Sequence, residues 1–234
     1  SFFGLSFVYI IFDDGTDIYW ARSRVLEYLN FVTDRLPGGV TPKLGPDATG
    51  VGWVFEYVLQ DTTGANDLAD LRSIQDWYLR YELTSVPGVS EVASIGGFVK
   101  QYQVTVDPVR LLAFNIPLQK VRAAIQRSNS DVGGRLIEIA ETEFMVRGRG
   151  YIQSIDDIEG IPLGVDAGGT PIHVRDIATV QLGPELRRGL AEWNGKGEIV
   201  GGIVIMRYGE NALDVIDQVK TRLAELEAGL PEGV

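Results

Sequence analysis

The stretch Val8-Tyr9-Ile10-Ile11-Phe12-Asp13-Asp14-Gly15-Thr16-Asp17, followed by an apolar-striped run and closed by Leu36-Pro37-Gly38-Gly39-Val40, decides the fold because the chain carries it twice. The second instance runs from Gly202-Ile203-Val204-Ile205-Met206 through Tyr208-Gly209-Glu210-Asn211 to Leu230-Pro231-Glu232-Gly233-Val234. Leu36 lies 21 residues after Gly15, Leu230 lies 21 after Gly209, and one shift of 194 aligns the two without a gap. Each reads as strand, turn, amphipathic helix. In the first helix Ile18, Ala21, Val25, Leu29 and Val32 recur at three- and four-residue steps, one apolar stripe, with Asp17 as N-cap. In the second the stripe is Ala212, Val215, Ile216, Val219, Leu223 and Leu226, with Asn211 as cap. Proline and glycine stop both helices. The pattern predicts a duplicated subdomain, and two copies so far apart cannot stack as a solenoid.

Between the copies, 51–59 reads as a strand and 68–83 as a helix with Leu68, Leu71, Ile74, Tyr78 and Leu79 inward. That helix stops at Val86-Pro87-Gly88-Val89, and 91–95 reads as the next strand. The texture then changes. Residues 102–106 alternate like a strand, Asp107-Pro108 opens a short helix, and Ile116-Pro117 opens another that reaches Ser128. Gly133-Gly134 reads as a break, with strands expected at 144–147, 161–164, 172–174 and 179–182. Residues 186–193 and 199–206 read as a hairpin around Asn194-Gly195. The expected organisation is a split subdomain at 50–97 and 186–234, an inserted block at 98–185, and a partial sister subdomain at 1–49.

Composition narrows the chemistry. Hydrophobic residues at 45% and charged residues at 23% are ordinary for a globular chain, and 234 residues allow one or two domains. The absence of cysteine excludes disulfides and thiolate sites, and a single histidine, His173, excludes a multi-histidine metal centre. With 21 basic against 32 acidic residues the net charge is −11, which argues against a nucleic-acid surface. No run approaches the ~20 apolar residues of a membrane span. No basic leader precedes Phe7, so no signal peptide is expected, and the abrupt start and end are those expected of a piece of a longer protein.

The candidate motifs are thin. Gly148-Arg149-Gly150 and Gly195-Lys196-Gly197 begin like a dinucleotide fingerprint, but Gln153 and Val200 stand where the third glycine belongs, so no cofactor site is expected. Paired glycines at 96–97, 133–134, 168–169 and 201–202 read as turns and close packing. Asp13-Asp14, Asp156-Asp157 and Glu141 with Glu143 are the candidate acid–base pairs. The first, ahead of a helix, reads more simply as turn and helix-dipole chemistry, and the second as a turn. His173 has no serine or cysteine motif beside it. Met145 and Met206 are the only thioethers for a soft ion and read as core, and Trp20, Trp53, Trp77 and Trp193 read by default as core or interface packing. No catalytic and no metal-ligating residue is therefore assigned. One helix face stands out: Tyr19, Ser23, Glu27 and Asn30 fall at steps of four, four and three, opposite the apolar stripe. It is either a solvated face or a polar surface packed against copies of itself around an axis.

Phe12-Asp13-Asp14-Gly15-Thr16-Asp17-Ile18-Tyr19-Trp20-Ala21-Arg22-Ser23-Arg24 resembles the start of the periplasmic porter domain of resistance–nodulation–division (RND) permeases. So do Leu44-Gly45-Pro46-Asp47-Ala48-Thr49-Gly50-Val51-Gly52-Trp53, Asp67-Leu68-Ala69-Asp70-Leu71-Arg72-Ser73, Glu91-Val92-Ala93-Ser94 and Gly183-Pro184-Glu185. These segments, in family order along essentially the whole chain, are most similar to the heavy-metal efflux branch, of copper/silver, CusA-like type. The resemblance implies an α+β fold of two ferredoxin-like βαβ sandwich porter subdomains, the first incomplete, with a mixed α/β docking subdomain inserted in the second. Residues 1–49 would be part of porter subdomain PN1, 50–97 and 186–234 the split PN2, and 98–185 the docking block DN. The implied whole is a proton-driven homotrimer in the bacterial inner membrane that exports a metal cation. Its expected partners are the rest of the permease, its trimer mates, a periplasmic adaptor and an outer-membrane channel. This chain would lie on the periplasmic side.

By position, the helix from Asp17 to Leu36 resembles the family's pore helix, so Tyr19, Ser23 and Glu27 would face the trimer axis. One position departs from the pattern. Copper/silver members carry a relay methionine in a Gly-Pro-Glu-Met-Arg-Arg-Gly segment, and here the position is Leu186, which offers no sulfur. Two other readings make distinct predictions. A soluble small-molecule-binding module on a ferredoxin-like repeat requires a closed polar pocket. An acidic-pair hydrolase requires two carboxyl groups converging in a cleft, with Glu141 or Asp157 essential.

Overall fold

The computed structural model describes residues 6–139, 142–148, 150–166, 168–187 and 189–234. In chain order the elements are α1 (Ile18–Val32), β1 (Trp53–Leu59), α2 (Leu68–Ile74), a π-helical turn (Gln75–Leu79), α3 (Arg80–Thr84), β2 (Val89–Gly96), β3 (Lys100–Val106), α4 (Pro108–Ala113) and α5 (Leu118–Ser128). There follow β4 (Val132–Ile139), β5 (Thr142–Gly148), α6 (Ile155–Glu159), β6 (Pro162–Val165), β7 (Pro171–His173), α7 (Val174–Ile177), β8 (Ala178–Pro184), β9 (Val200–Met206) and α8 (Ala212–Leu226). The result is a mixed α+β chain with small antiparallel sheets, ordered β1-β9-β2, β3-β8, β4-β5 and β6-β7. It divides into two compact units, Ser1–Gly97 with Gly189–Val234, and Phe98–Arg188. Among the described residues no helix is long and apolar enough to cross a membrane.

In the first unit β9 is the central strand, antiparallel to β1 on one side and β2 on the other. Its first six residues are all buried, which is why its sequence is an unbroken apolar run rather than an alternating one. Val200 and Val204 share a core with Val89 and Val92 of β2, Leu71, Leu79 and Leu83 of the α2–α3 run, and Val215, Val219 and Leu226 of α8. Gly201 and Gly202 serve close packing, as their sequence suggests: a Cβ at Gly201 would lie 2.3 Å from the Tyr57 carbonyl oxygen, and one at Gly202 would lie 2.4 Å from Oη of the same residue.

The π turn has a geometric cause. Leu71, Gln75, Leu79 and Leu83, all buried, recur at steps of four. On an α-helix each such step overshoots a full turn by about 40°, so three steps swing the stripe about 120° off the sheet. Widening the turn at 75–79 cancels that drift. Gln75 is the only buried polar residue among those described. It accepts a hydrogen bond from Tyr57 Oη (2.9 Å) and donates through Nε2 to Ser94 Oγ (3.3 Å). Burial pushes the Tyr57 phenol up to about 12, against the opposing effect of the Gln75 bond.

Residues 18–32 and 212–226 form matching helices, each followed by one 3-10 turn, Thr33–Arg35 and Glu227–Gly229. The shift of 194 found in the sequence superimposes every one of these boundaries. Gly15 and Gly209 take φ of 84° and 90°, and Gly39 and Gly233 take 85° and 91°. The strands do not match. The expected strand before α1 does not form: residues 6–12 are assigned to no sheet, and Phe7, Val8, Tyr9 and Ile11 are 64–93% exposed. A strand needs a neighbour for its backbone groups, and the described residues supply none here.

The second unit has its own core of Ile116, Val121, Ala124, Ile158, Ile161, Leu163, Ile172, Val174, Ile177, Ala178 and Val180. Asp107 caps α4 by accepting from Val109 and Arg110 N–H, with Pro108 at the first turn, as expected. Three expectations are corrected. Gly133-Gly134 does not break the chain but lies inside β4, where the pairing with β5 shifts register. Asp156-Asp157 lies in the short helix α6, whose Ser154–Asp157 capping box satisfies its first turn. Val174 ends no strand but begins α7. In the first unit the expected hairpin arm at 186–193 is reduced to a single bridge, Glu192 to Glu198, across a turn at Asn194 (φ 52°) and Gly195 (φ 70°).

Candidate functional site

Helix α1 is the natural starting point because so little of it is used by the core. Asp17 caps it by accepting from Trp20 N–H at 2.7 Å, and Ala21 is its one buried residue. The predicted stripe exists but lies open. Val25 and Leu29 are half-buried and line a groove of about 440 Å³ with Ile10, Phe12 and Ile18, while Val32 is 38% exposed. Helical geometry puts Tyr19, Ser23 and Glu27 on the opposite side. All three are exposed. Ser23 Oγ donates back to the Tyr19 carbonyl (2.9 Å), and Glu27 pairs with Arg24 at 2.7 Å.

A second feature lies beside this strip. The carboxylate of Asp47 accepts hydrogen bonds from Ser90 Oγ and from Tyr19 Oη (3.3 Å), with Arg207 Nε at 3.6 Å. The Asp47 carbonyl accepts from Tyr208 N–H (2.9 Å). The Ser90 hydroxyl, then the other donors and Arg207, hold the Asp47 carboxyl below the usual carboxylate range against the cost of its burial. Asp47 lines a cleft of about 610 Å³ together with Arg22, Asp76, Trp77, Arg80 and Glu91. Arg22 also donates to the Gly45 carbonyl at 2.8 Å, a second polar tie on α1. Asp47 lies in a segment that the resemblance covers, but its contacts with Tyr19 and Ser90, 28 and 43 residues away, leave no local signal.

The remaining candidates are spent locally or scattered. Asp13 accepts from Thr16 in the turn before α1. Asp157 accepts from Gln153 and Ser154 N–H, which lower its carboxyl, so it is a capping group. Glu143 pairs in register with Glu138, and Glu141 lies outside the described residues. His173 Nδ1 lies 3.7 Å from Asp176 Oδ2, whose oxygen also accepts from the His173 N–H. Met206 packs partly against the core, but Met145 is 80% exposed and does not belong to the core as expected. The four tryptophans are 42–74% exposed, which sets aside the core half of the core-or-interface expectation. A tripeptide-scale stripe does not say which side of an element is covered. Leu186 is 82% exposed. No group of three or more metal-ligating residues occurs among the described residues.

The whole chain, residues 1–234, matches the model of the AcrB/AcrD/AcrF family. It is 58% identical over 234 residues to a putative cation efflux system protein, SilA, of Salmonella typhimurium, and 58% to the cation efflux system protein CusA of Escherichia coli K12. It is 42% identical over 241 aligned residues to the cobalt-zinc-cadmium resistance protein CzcA of Cupriavidus metallidurans. In each case all of this chain is covered and 22% of the relative, so the chain spans about a fifth of the length of these proteins. A crystal structure of a heavy metal efflux pump aligns with a TM-score of 0.82 at 32% identity, over 95% of this chain and 22% of that one.

Proposed function

The chain belongs to the AcrB/AcrD/AcrF family, in its CusA-like heavy-metal efflux branch, and from that premise we propose that it is the periplasmic porter and docking portion of a proton-driven heavy-metal cation efflux permease of copper/silver type. The observation that carries this reading is 58% identity across every residue of the chain to two cation efflux proteins. Its work is conformational and not catalytic: subdomains shift, a cleft opens, and the ion passes.

Within that reading, 1–49 is part of PN1, 50–97 with 186–234 is PN2, and 98–185 is the docking block toward adaptor and outer-membrane channel. The order β1-β9-β2, with β1 and β2 parallel to each other on either side of β9 and joined by the α2–α3 run, supports a ferredoxin-like split βαβ. Tyr19, Ser23 and Glu27 face the trimer axis. Their exposure on a helix with a single buried residue supports a face that waits for other chains. Leu186 supplies no thioether, so the relay step of copper/silver relatives is not carried by this chain.

Expression of the full-length permease, with its adaptor and channel, in a copper- and silver-sensitive bacterial host tests the proposal. Growth at metal concentrations that stop the host, with lower cell-associated metal, is expected. Membrane-inserted protein that gives no protection against any heavy-metal cation contradicts it. For the axis, Ser23→Cys in the permease should yield inter-subunit disulfides on oxidation, and a monomer-only pattern contradicts the pore assignment.

A further inference from the structure

Helix α1 has a placement problem that packing does not solve. One buried residue, Ala21, against three in α8 leaves little apolar area to fix its direction. What holds it is polar: Tyr19 Oη to Asp47, and Arg22 Nη1 to the Gly45 carbonyl. The segment it is tied to is in turn tied to the central sheet of the unit. Ser90, in β2, donates to Asp47; Arg207, just beyond β9, reaches the same carboxylate; and the Tyr208 N–H donates to the Asp47 carbonyl. The Arg207 N–H itself donates to the Gly88 carbonyl before β2 (2.8 Å), and Met206 N–H to Gly52 before β1 (2.7 Å). Asp47 therefore stands where α1, β2 and the end of β9 converge. Its side chain is 18% exposed; the bond from Ser90 is part-buried, while those to Tyr19 and Arg207 lie nearer the surface.

We propose that Asp47 is a positioning residue for transport, tying the Tyr19–Ser23–Glu27 face of α1 to the β1-β9-β2 sheet so that the face follows the sheet when the sheet moves. The inference rests on the porter reading given above and adds to it a specific mechanical link. Asp47 touches no cargo; it acts through Tyr19. A carboxylate suits the task because one group accepts from a hydroxyl and a phenol while pairing with a guanidinium, and hydrogen bonds to a charged acceptor are the stronger kind. An amide in its place keeps the shape but loses the charge that draws in Arg207.

The test uses the full-length permease with spin labels at Leu26→Cys on α1 and Glu56→Cys on β1, both exposed. The unsubstituted protein should show one narrow distance distribution. Asp47→Ala should broaden it and lower the export rate of silver ion about two- to thirtyfold, the span of measured coupling energies converted to rate. Tyr19→Phe removes one exposed hydroxyl and leaves the fold intact, so it should broaden the distribution less and slow export less. In the Tyr19→Phe background, Asp47→Asn should cost less than it costs alone, because the contact through which Asp47 reaches α1 is already gone. A narrow distribution with unchanged export in Asp47→Ala overturns the link while leaving the pump reading intact. Full additivity of Tyr19→Phe and Asp47→Asn also overturns it, because the two would then act separately. An unsubstituted permease that exports no metal sinks the pump reading itself.

Discussion

Residues 18–32 and 212–226 form the same helix twice, with side-chain caps at Asp17 and Asn211 and a 3-10 turn closing each. In the second copy Val215, Val219 and Leu226 are 2%, 0% and 5% exposed. At the matching positions of the first copy Ala21 is 6% exposed, Val25 is half-buried and Val32 is 38% exposed. The strands diverge further. Gly201-Gly202 sits pressed between β1 and β2, whereas Phe7-Val8 at the same register is open to solvent. The closing turn differs too: Gly233 is bonded by Thr62 through both N–H and Oγ1, and Gly39 has nothing within reach of a Cβ. Local sequence thus makes the helix, its cap and its stop, while burial depends on whether neighbouring strands are present. The first copy is a half-built version of the second.

Substitutions at matched positions sharpen that contrast. Leu226→Ala should cost about 3 kcal/mol, and its counterpart Val32→Ala should stay within about 0.5 kcal/mol. Differential scanning calorimetry of the isolated chain would show a fall of roughly 6–12 °C for the first and almost none for the second. Equal effects would mean that the first copy is packed as tightly as the second.

The alkaline limb probes the built copy alone. Tyr57 has its folded-state value raised to about 12 by burial, so above the unfolded value of about 10 the native state keeps a proton that the unfolded state gives up. Its stabilising contribution is complete below pH 10 and is lost as pH rises toward 12. The loss amounts to roughly 2–3 kcal/mol. Chemical denaturation across that range should show the decline, and Tyr57→Phe should flatten it. A wild-type slope unchanged by the substitution would remove Tyr57 from the explanation.

Gly201→Ala should cost about 2 kcal/mol, because the new methyl meets the Tyr57 carbonyl and one of the two strands must move. Phe7→Ala at the matching position should leave the denaturation midpoint unchanged. The smallest effect is at the caps. Asn211→Ala and Asp17→Ala each remove one side-chain acceptor at about 1 kcal/mol. Only the first should lower the global midpoint; the second should appear as fraying of α1 in amide exchange. A global shift from Asp17→Ala would show that α1 unfolds with the rest of the unit.

How far the sequence alone reaches follows the same division. The repeat, both N-caps, the Leu-Pro stops and the Asp107-Pro108 helix start are written in residues a few positions apart, and all are legible. The Ser154–Asp157 box was equally local, a serine three residues before an acid, and was available to the same reading. What stays hidden depends on residues far away. A run such as 6–12 shows strand propensity but not the absence of a partner. Gln75 reads as an ordinary polar helix residue, and only the four-residue spacing of Leu71, Leu79 and Leu83 around it hints at a widened turn. The exposure of Met145 and of the four tryptophans could not be read, because apolar character does not state which surface meets it. At the candidate site, the face of Tyr19, Ser23 and Glu27 was visible as spacing. The Asp47 contacts with Ser90 and Arg207 were not.

Amide hydrogen exchange followed by mass spectrometry, on the isolated chain and on the full-length permease side by side, tests the central claim most directly. In the isolated chain 200–206 should be strongly protected while 6–12 exchanges at the rate of an open strand. In the permease 6–12 should become protected as the rest of the protein supplies its neighbours. Slow exchange of 6–12 in the isolated chain, or fast exchange in the permease, would contradict the account of one finished and one unfinished copy.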